Sequence, residues 1–383
     1  MDAIKHSQDI MMDSGAFSVW STGAEINLKA YIKFCLDNRD SIDTVIGLDV
    51  IPGRKGAGRP SREDIEKAAS QGWDNYLKMV KGGIPADEVV PVFHQFDDFK
   101  WLKLFIEKKV PYIGLSPRKQ GVTRAQQQAW LDACMDYVTD SEGRAKTKLH
   151  GFGLTSMAIV LRYPWFSVDS ASSMKDGMYG TIYIPWQKNG EWFFLHTPRR
   201  ITGSSKSGER KKKNEHVLTL PKRTQEVCFK WFAEAGIPFG KSEYSREALD
   251  YKHEAGPEAV FERHADHLII EHLVEPGILN CHPFRTRLNS YFFERVVQAL
   301  DGVERRFAPK ARRQGLMPRV KVGGRKALMI DRLKIYIAGD VGGDGKFTGH
   351  EALPLDPCRL LSYFYVNGCQ AREFKNVIAE RRS

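Results

Sequence analysis

The first 170 residues alternate short β-rich runs with stretches of helical period, and this rhythm constrains the fold more than any other feature. The runs are "DIMMD" (9–13), "TVIGLDV" (44–50), "VVPVFHQ" (89–95), "YIGLS" (112–116), "KLHGFGL" (148–154) and "WFSVDS" (165–170). Between them, Leu28, Tyr31, Ile32, Cys35 and Leu36 keep the i, i+3, i+4, i+7, i+8 spacing of one helix face, and Trp130, Leu131, Cys134, Met135 and Val138 repeat it. Continuous apolar strands linked by amphipathic helices predict a parallel sheet covered on both faces, as in a barrel or a doubly wound fold. A (β/α)8 TIM-like barrel is preferred, because the polar residues that punctuate the runs fall at strand ends. In parallel α/β folds those ends converge on one rim.

Asp13, Asp49, Gln95, Gly114 and Asp169 all occupy such ends. Any one of them has a structural reading as the cap of the following helix. Three aspartates and a glutamine at successive ends form a pattern that capping alone does not explain. After Asp49 comes "VIPGRKGAGRPSRE", whose Gly and basic residues suit a loop near phosphates, with Arg54, Lys55 and Arg59 as contacts. It lacks the Lys-Ser/Thr ending of a Walker loop.

Charge narrows the partner. The net charge of +11 is concentrated in 54–59, 199–213 and 305–313, which points to a polyanion; a solvated basic face is the alternative. Six scattered cysteines without a CxxC pair, and no secretory leader, predict reduced thiols and a cytoplasmic protein. No apolar run approaches the roughly 18 residues of a membrane span, so no membrane association is expected.

Residues 171–330 interrupt the rhythm. "GTIYIPW" and "EWFFLHTP" (180–198) predict a β-hairpin turning at Asn189–Gly190. A basic segment follows (199–214), then helices expected around 222–235, 256–274 and 286–301. Arg210, Lys211, Lys212 and Lys213 are candidate phosphate contacts, which position a nucleic acid without reading its sequence. Trp186, Trp192, Phe193 and Phe194 are candidates for stacking on bases or, equally, for a small core under the hairpin.

Taken in order, "MMDSGAFS", "GLDVIPG", "PVFHQ", "YIGLSP", "HGFGL" and "FSVDS" resemble the guanine transglycosylase superfamily, which includes the queuine tRNA-ribosyltransferases. The resemblance is nearest to the phage-encoded DNA-guanine transglycosylase branch, which inserts 7-deazaguanines into DNA. It spans residues 9–172 and, less strongly, 333–370. It implies base exchange through a covalent aspartyl-sugar intermediate, in the cytoplasm, or in the host cytoplasm for a phage-encoded chain. Asp169 matches the nucleophile and Asp13 the general acid/base. Phe17 matches an aromatic that stacks on the purine, Asp49 the carboxylate that accepts from its ring N–H and amine, and Gln95 with the Gly114–Leu115 backbone the rest of the base-reading edge. Structural readings stay open for Phe17 (a core aromatic) and Gln95 (a strand-end turn).

The implied partners are DNA, with tRNA as the alternative, and a free 7-deazaguanine base. A catalytically silent nucleic-acid-binding homologue and a sugar hydrolase using paired carboxylates are competing classes. No cofactor is expected. The CxCxxC zinc run of the tRNA enzymes is absent, so a zinc site is in doubt; "HADHLIIEH" (264–272) offers His264, His267 and Glu271 on one predicted helical face, near Cys281 and His282, as ligands or as packing groups. "GDVGGDGKF" (339–347) fails as a calcium loop, because Gly342 stands where an oxygen ligand is needed.

A barrel needs eight strands, and the N-terminal region supplies six. "LKIYIAGD" (333–340) and "RLLSYFYV" (359–366) are the missing candidates, and both resemble segments that precede "DSGAFS" in relatives of the phage branch. The expected organisation is a circularly permuted barrel. Residues 1–170 supply strands three to eight, 171–330 form an inserted α+β basic subdomain, and 331–383 supply strands one and two. The expectation requires 359–366 beside 9–13, and 333–339 between 359–366 and 165–169.

Overall fold

The structure is a computed structural model. It describes residues 9–16, 20, 26–53, 60–118, 121–207, 213–249, 259–263, 268–308, 334–340 and 362–365; for 242–249, 259–263, 268–274, 336–340 and 362–365 the backbone alone is described. The chain divides into two compact units, one holding 1–170, 300–347 and 357–383, the other 171–299.

In chain order the strands are β1 (Ile10–Met12), β2 (Thr44–Ile46), β3 (Val89–Val90), β4 (Val92–His94), β5 (Tyr112–Ser116), β6 (Lys148–Gly151), β7 (Ser167–Ser170), β8 (Thr181–Ile184), β9 (Trp186–Lys188), β10 (Glu191–Phe193), β11 (Arg199–Thr202), β12 (Lys241–Leu249), β13 (Ala259–Arg263), β14 (Leu268–Glu275), β15 (Lys334–Asp340) and β16 (Ser362–Tyr365). The first unit is built on one sheet of order β3-β2-β1-β16-β15-β7-β6-β5-β4, in which every pair is parallel. Both of its terminal members belong to one run of chain, 89–94, interrupted by Pro91. Proline has no N–H to give a ladder, yet its carbonyl still serves one: Gly114 N donates to Pro91 O at 2.9 Å, while Gly47 N donates to Val90 O at 2.9 Å on the other side.

The pairings expected of the C-terminal runs are those found. Ile10–Met12 run beside Ser362–Phe364, Ile337–Asp340 beside Ser362–Tyr365, and Lys334–Ile337 beside Ser167–Ser170. An ion pair adds to this junction, with Lys334 Nζ meeting Asp9 at 2.5 Å. Residues 300–308 also group with this unit, tied by Phe307 N donating to Gly143 O at 2.8 Å and Arg305 Nη2 to Trp165 O at 2.6 Å.

Helices follow the strands as their caps dictate. Ser61 and Asp64 form a capping box at the start of Arg62–Lys81, and Thr123 and Gln126 another at the start of Arg124–Val138. Asn27 and Asp98 cap Leu28–Asp37 and Phe99–Glu107. On Arg124–Val138 the predicted stripe is the buried one, Trp130, Leu131, Cys134, Met135 and Val138. On Leu28–Asp37 the buried pair is Phe34 and Cys35, and Leu36 faces solvent. Strands β2, β5, β6 and β7 are almost wholly buried, as sheets covered on both faces require. Met11, Ile46, Val90 and Tyr112 pack as one apolar cluster, joined by Val92, Phe152 and Phe166.

The second unit contains the expected hairpin. Strands β9 and β10 pair antiparallel across Asn189 (φ 53°) and Gly190 (φ 86°), the two left-handed residues of a tight hairpin turn. Pro185 separates β9 from β8, which pairs with β11. Buried Asn289, on the helix His282–Ala299, accepts from Tyr183 N (2.7 Å) and donates to Ser173 O (3.1 Å) and Thr181 O (3.0 Å). At Gly177 an added Cβ would lie 2.7 Å from Thr286 N, so only glycine permits this helix contact.

The helix expected over 256–274 is not formed. Residues 259–263 and 268–275 are strands β13 and β14, in an antiparallel sheet of order β12-β14-β13. The apolar run Leu268–Ile270 satisfies either period, and pairing with β12 decides for the strand. Glu271 therefore stands on a strand and not on a helical face; His264 and His267 lie outside the described residues.

Candidate functional site

Because all pairs in the large sheet are parallel, the carboxyl ends of its strands lie along one edge. Asp13 directly follows β1, Asp49 lies three residues past β2, Gln95 directly follows β4, and Asp169 is the penultimate residue of β7. Gly15 (φ 73°) turns the chain after Asp13 and Ser14.

Asp169 is 8% exposed. Its Oδ1 accepts from Gly153 N at 2.6 Å and lies 3.4 Å from His150 Nε2. Gly153 adopts φ 67°, a conformation that costs a residue with a side chain, and this turns its N–H toward the carboxylate. Oδ2 makes no hydrogen bond among the described residues. Behind Asp169, fully buried His150 has Nδ1 2.6 Å from Ser167 Oγ, which also hydrogen-bonds the Tyr112 hydroxyl. The Phe152 ring meets His150 edge-on, with centroids 4.4 Å apart.

Asp49 is held differently. Ser14 Oγ donates to its Oδ1 at 3.1 Å, and His94 Nε2 lies 2.8 Å from its Oδ2. Burial works against the charged form of His94, but the hydrogen bond to Asp49, the charge of Asp49 and that of Asp97 outweigh it and raise its pKa above 6.5. Asp97 Oδ2 accepts from His94 N at 2.9 Å. Its own pKa is raised by burial, against the lowering effect of His94. Tyr31 donates to Ile46 O at 2.9 Å; burial, then Cys35, Asp13 and Asp49, push its pKa well up, so both carboxylates lie within electrostatic reach of one phenol.

Gln95 is 9% exposed; its Oε1 accepts from Arg118 N at 3.0 Å, and its backbone N donates to Ser116 O at 3.0 Å. The next residue, Phe96, holds φ 91°, rare for a non-glycine, and is exposed beneath the Arg118 guanidinium at 5.6 Å. Gly114 N and Leu115 O are both committed to the sheet, to Pro91 O and from Phe152 N respectively. At Gly114 an added Cβ would lie 2.5 Å from Phe152 Cε2, so the missing side chain makes room for that ring.

Phe17, Arg54, Lys55, Arg59, Arg210, Lys211 and Lys212 lie outside the described residues. Lys213 is exposed, in the second unit. There the hairpin aromatics divide: Phe194 is buried, Trp192 packs on Trp231 with its N–H on Glu234, and Trp186 and Phe193 form an exposed cross-strand pair with Arg199 4.1 Å above the Trp186 ring. Among the described residues no group of three His, Cys, Asp or Glu side chains is placed to hold a metal, and no helix is long and apolar enough to cross a membrane.

Sequence reasoning did not single out His94, Asp97 or His150. The only signal was the place of the two histidines inside "PVFHQ" and "HGFGL", and Asp97 lies in neither; a histidine's carboxylate partner 45 or 19 residues away leaves no local mark. No family model matches this chain, and no curated protein matches it significantly.

Proposed function

We propose that this chain is a pentosyltransferase of the guanine transglycosylase type, which exchanges guanine in DNA for a 7-deazaguanine base through a covalent intermediate on Asp169. On this reading residues 89–94 act as a single strand, so the sheet order closes on itself as an eight-stranded (β/α) barrel. The cluster of Met11, Ile46, Val90 and Tyr112 supports closure, since it joins side chains from both ends of the sheet order. Strands β15 and β16 then supply strands one and two of a circularly permuted barrel, and its active rim carries the aspartates.

The observation that carries the reading is the asymmetry of Asp169. One oxygen is anchored by Gly153 N–H, and the other makes no hydrogen bond among the described residues, at the carboxyl end of a strand. An anchored carboxylate with one uncommitted oxygen is suited to attack on carbon. Oδ2 forms a bond to the sugar C1′ as the C1′–N bond breaks; the electron pair leaves on the base nitrogen, which takes a proton from Asp13. In the second half the incoming base gives its N–H proton to Asp13, its nitrogen attacks C1′, and the ester bond returns its electrons to Asp169. The Asp49–His94 pair and Gln95 edge the same rim, where the remaining lone pairs of Asp49 suit the N–H groups of a base and the Gln95 amide N–H suits its carbonyl oxygen. The target nucleotide leaves the stack to reach such a site.

The test is mass spectrometry of nucleosides from DNA and from tRNA, each incubated with the protein and a labelled 7-deazaguanine. Label in DNA is expected. Label in tRNA alone reassigns the substrate, and label in neither leaves a silent nucleic-acid-binding homologue. Release of free sugar without base incorporation supports the hydrolase. Asp169→Asn should form no covalent protein–nucleic acid adduct, and undiminished adduct removes Asp169 from the role.

A further inference from the structure

Behind Asp169 lies a chain of buried hydroxyls and one imidazole that the exchange chemistry does not itself require. Its members come from three neighbouring strands: Tyr112 on β5, His150 on β6 and Ser167 on β7, with His150 directly across the ladder from Ser167. Tyr112 is 1% exposed, and His150 and Ser167 are fully buried, so every proton in the chain needs an acceptor within the protein.

The proton positions follow from counting donors. Ser167 Oγ meets both the Tyr112 hydroxyl and His150 Nδ1, and it has one proton to give. If Nδ1 carried the ring proton, it would donate to Ser167 and Ser167 would donate to Tyr112. The buried phenol proton would then have no acceptor among the described residues, and the Nε2 lone pair would face the Asp169 carboxylate. The opposite direction gives the two hydroxyls and Nδ1 their partners: Tyr112 donates to Ser167, Ser167 donates to Nδ1, and the proton is left on Nε2, which makes no hydrogen bond among the described residues and has Asp169 Oδ1 3.4 Å away. Burial also raises the Tyr112 pKa far above its ordinary value, which keeps the phenol a donor. The Phe152 edge contact fixes the plane of the ring.

We propose that Tyr112 and Ser167 lock His150 as its Nε2–H tautomer, so that His150 is a positioning residue that holds Asp169 Oδ1 and leaves Oδ2 as the attacking atom. The inference rests on the reading of Asp169 as nucleophile. A neutral N–H donor orients the carboxylate without cancelling its charge, as an imidazolium would. When Oδ2 bonds to C1′, Oδ1 becomes the carbonyl oxygen of the ester, continues to accept from Gly153 N–H and comes to accept from Nε2–H. The same two donors thereby orient the intermediate for attack by the second base. Catalytic hydrogen bonds that are long without substrate tighten in the reacting complex, and the 3.4 Å contact is expected to do so.

Two measurements test this. The first is 15N NMR of histidine-labelled protein without substrate, with His150 assigned by signal loss in His150→Gln. A protonated Nε2 and an unprotonated Nδ1 are expected, with mixed tautomers in Ser167→Ala; an imidazolium or an Nδ1–H form in the wild type overturns the proposal. The second is the rate of covalent adduct formation in a single turnover on a saturating DNA oligonucleotide. Tyr112→Phe and Ser167→Ala should each slow it by up to about 10-fold, the scale of one neutral hydrogen bond, with the half-saturating oligonucleotide concentration unchanged. His150→Gln, which keeps an N–H donor, should retain more rate than His150→Leu. In a His150→Leu background Ser167→Ala should cost nothing further; the same loss in both backgrounds means the hydroxyls act otherwise than through His150, and overturns the relay. If the wild type forms no adduct, the transglycosylase reading falls, while the tautomer measurement still judges the relay.

Discussion

Replacing Gly114 by alanine tests what keeps a glycine in the middle of β5. The added Cβ would lie 2.5 Å from Phe152 Cε2 and 3.1 Å from Val90 Cγ1, where carbon atoms ordinarily rest about 3.5–4.0 Å apart. Val90 is fully buried and has little room to yield, so the half-buried Phe152 ring must retreat by roughly 1 Å. Overpacking of this kind costs about 1–3 kcal/mol, offset by about 0.4–1 kcal/mol from the stiffer unfolded chain. The retreat also pulls on Gly153, whose N–H anchors Asp169, so the adduct rate should fall by about 10-fold. Urea unfolding followed by circular dichroism reads the first effect, and trapping of the covalent adduct reads the second. Combining Gly114→Ala with Phe152→Ala should recover at least about 1 kcal/mol relative to the sum of the single changes, because the cavity of one accommodates the methyl of the other. Full stability and full adduct rate in Gly114→Ala would refute the packing argument. Unchanged stability with weakened base binding would mean that the glycine serves close approach of the base instead.

Asp13→Asn should retain nucleic-acid binding while turnover falls by about 10²–10⁴-fold, and full turnover would move the proton transfer elsewhere. His94 has a raised folded-state pKa, so its contribution to stability is complete below 6.5 and is lost as pH rises through the folded value. His94→Gln should therefore lose more stability at about pH 6 than at about pH 9, and equal losses would reject the Asp49–His94 ion pair. Neutralising Arg210, Lys211, Lys212 and Lys213 together should weaken DNA binding at all sequences and flatten the log–log salt dependence by about one unit per lost phosphate contact; an unchanged slope returns the run to a solvated surface. Deleting 331–383 removes β15 and β16 from between β1 and β7 and should prevent folding, because it opens two strand edges; a stable, active truncation would reject the permuted barrel.

Much of the first unit was legible from local pattern. "YIGLS" is a strand from its first residue to its last, and the Trp130 to Val138 stripe is the buried face, because burial on both sides of a parallel sheet leaves a continuous apolar signature. The stretch 256–274 was not legible, since Leu268–Ile270 fits a helix or a strand and only its partner β12 decides. Leu36 shows the same limit: the periodicity is right for a helix, but which positions turn inward depends on the sheet beneath, and Phe34, outside the stripe, is buried beside Cys35 while Leu36 is exposed.

The sequence by itself determined the residue types at the strand ends, three aspartates and a glutamine among them. It also marked the two C-terminal runs as β-rich, and they pair within the sheet between β1 and β7. Only the tertiary structure decided which groups those aspartates meet. Asp49 is bound to His94 and Ser14, while Asp169 keeps one oxygen uncommitted among the described residues and backs onto His150, Ser167 and Tyr112. The physical reason is reach. A strand end is fixed by the local alternation of its own residues, whereas a hydrogen bond between side chains on different strands depends on register, which comes from the whole sheet at once.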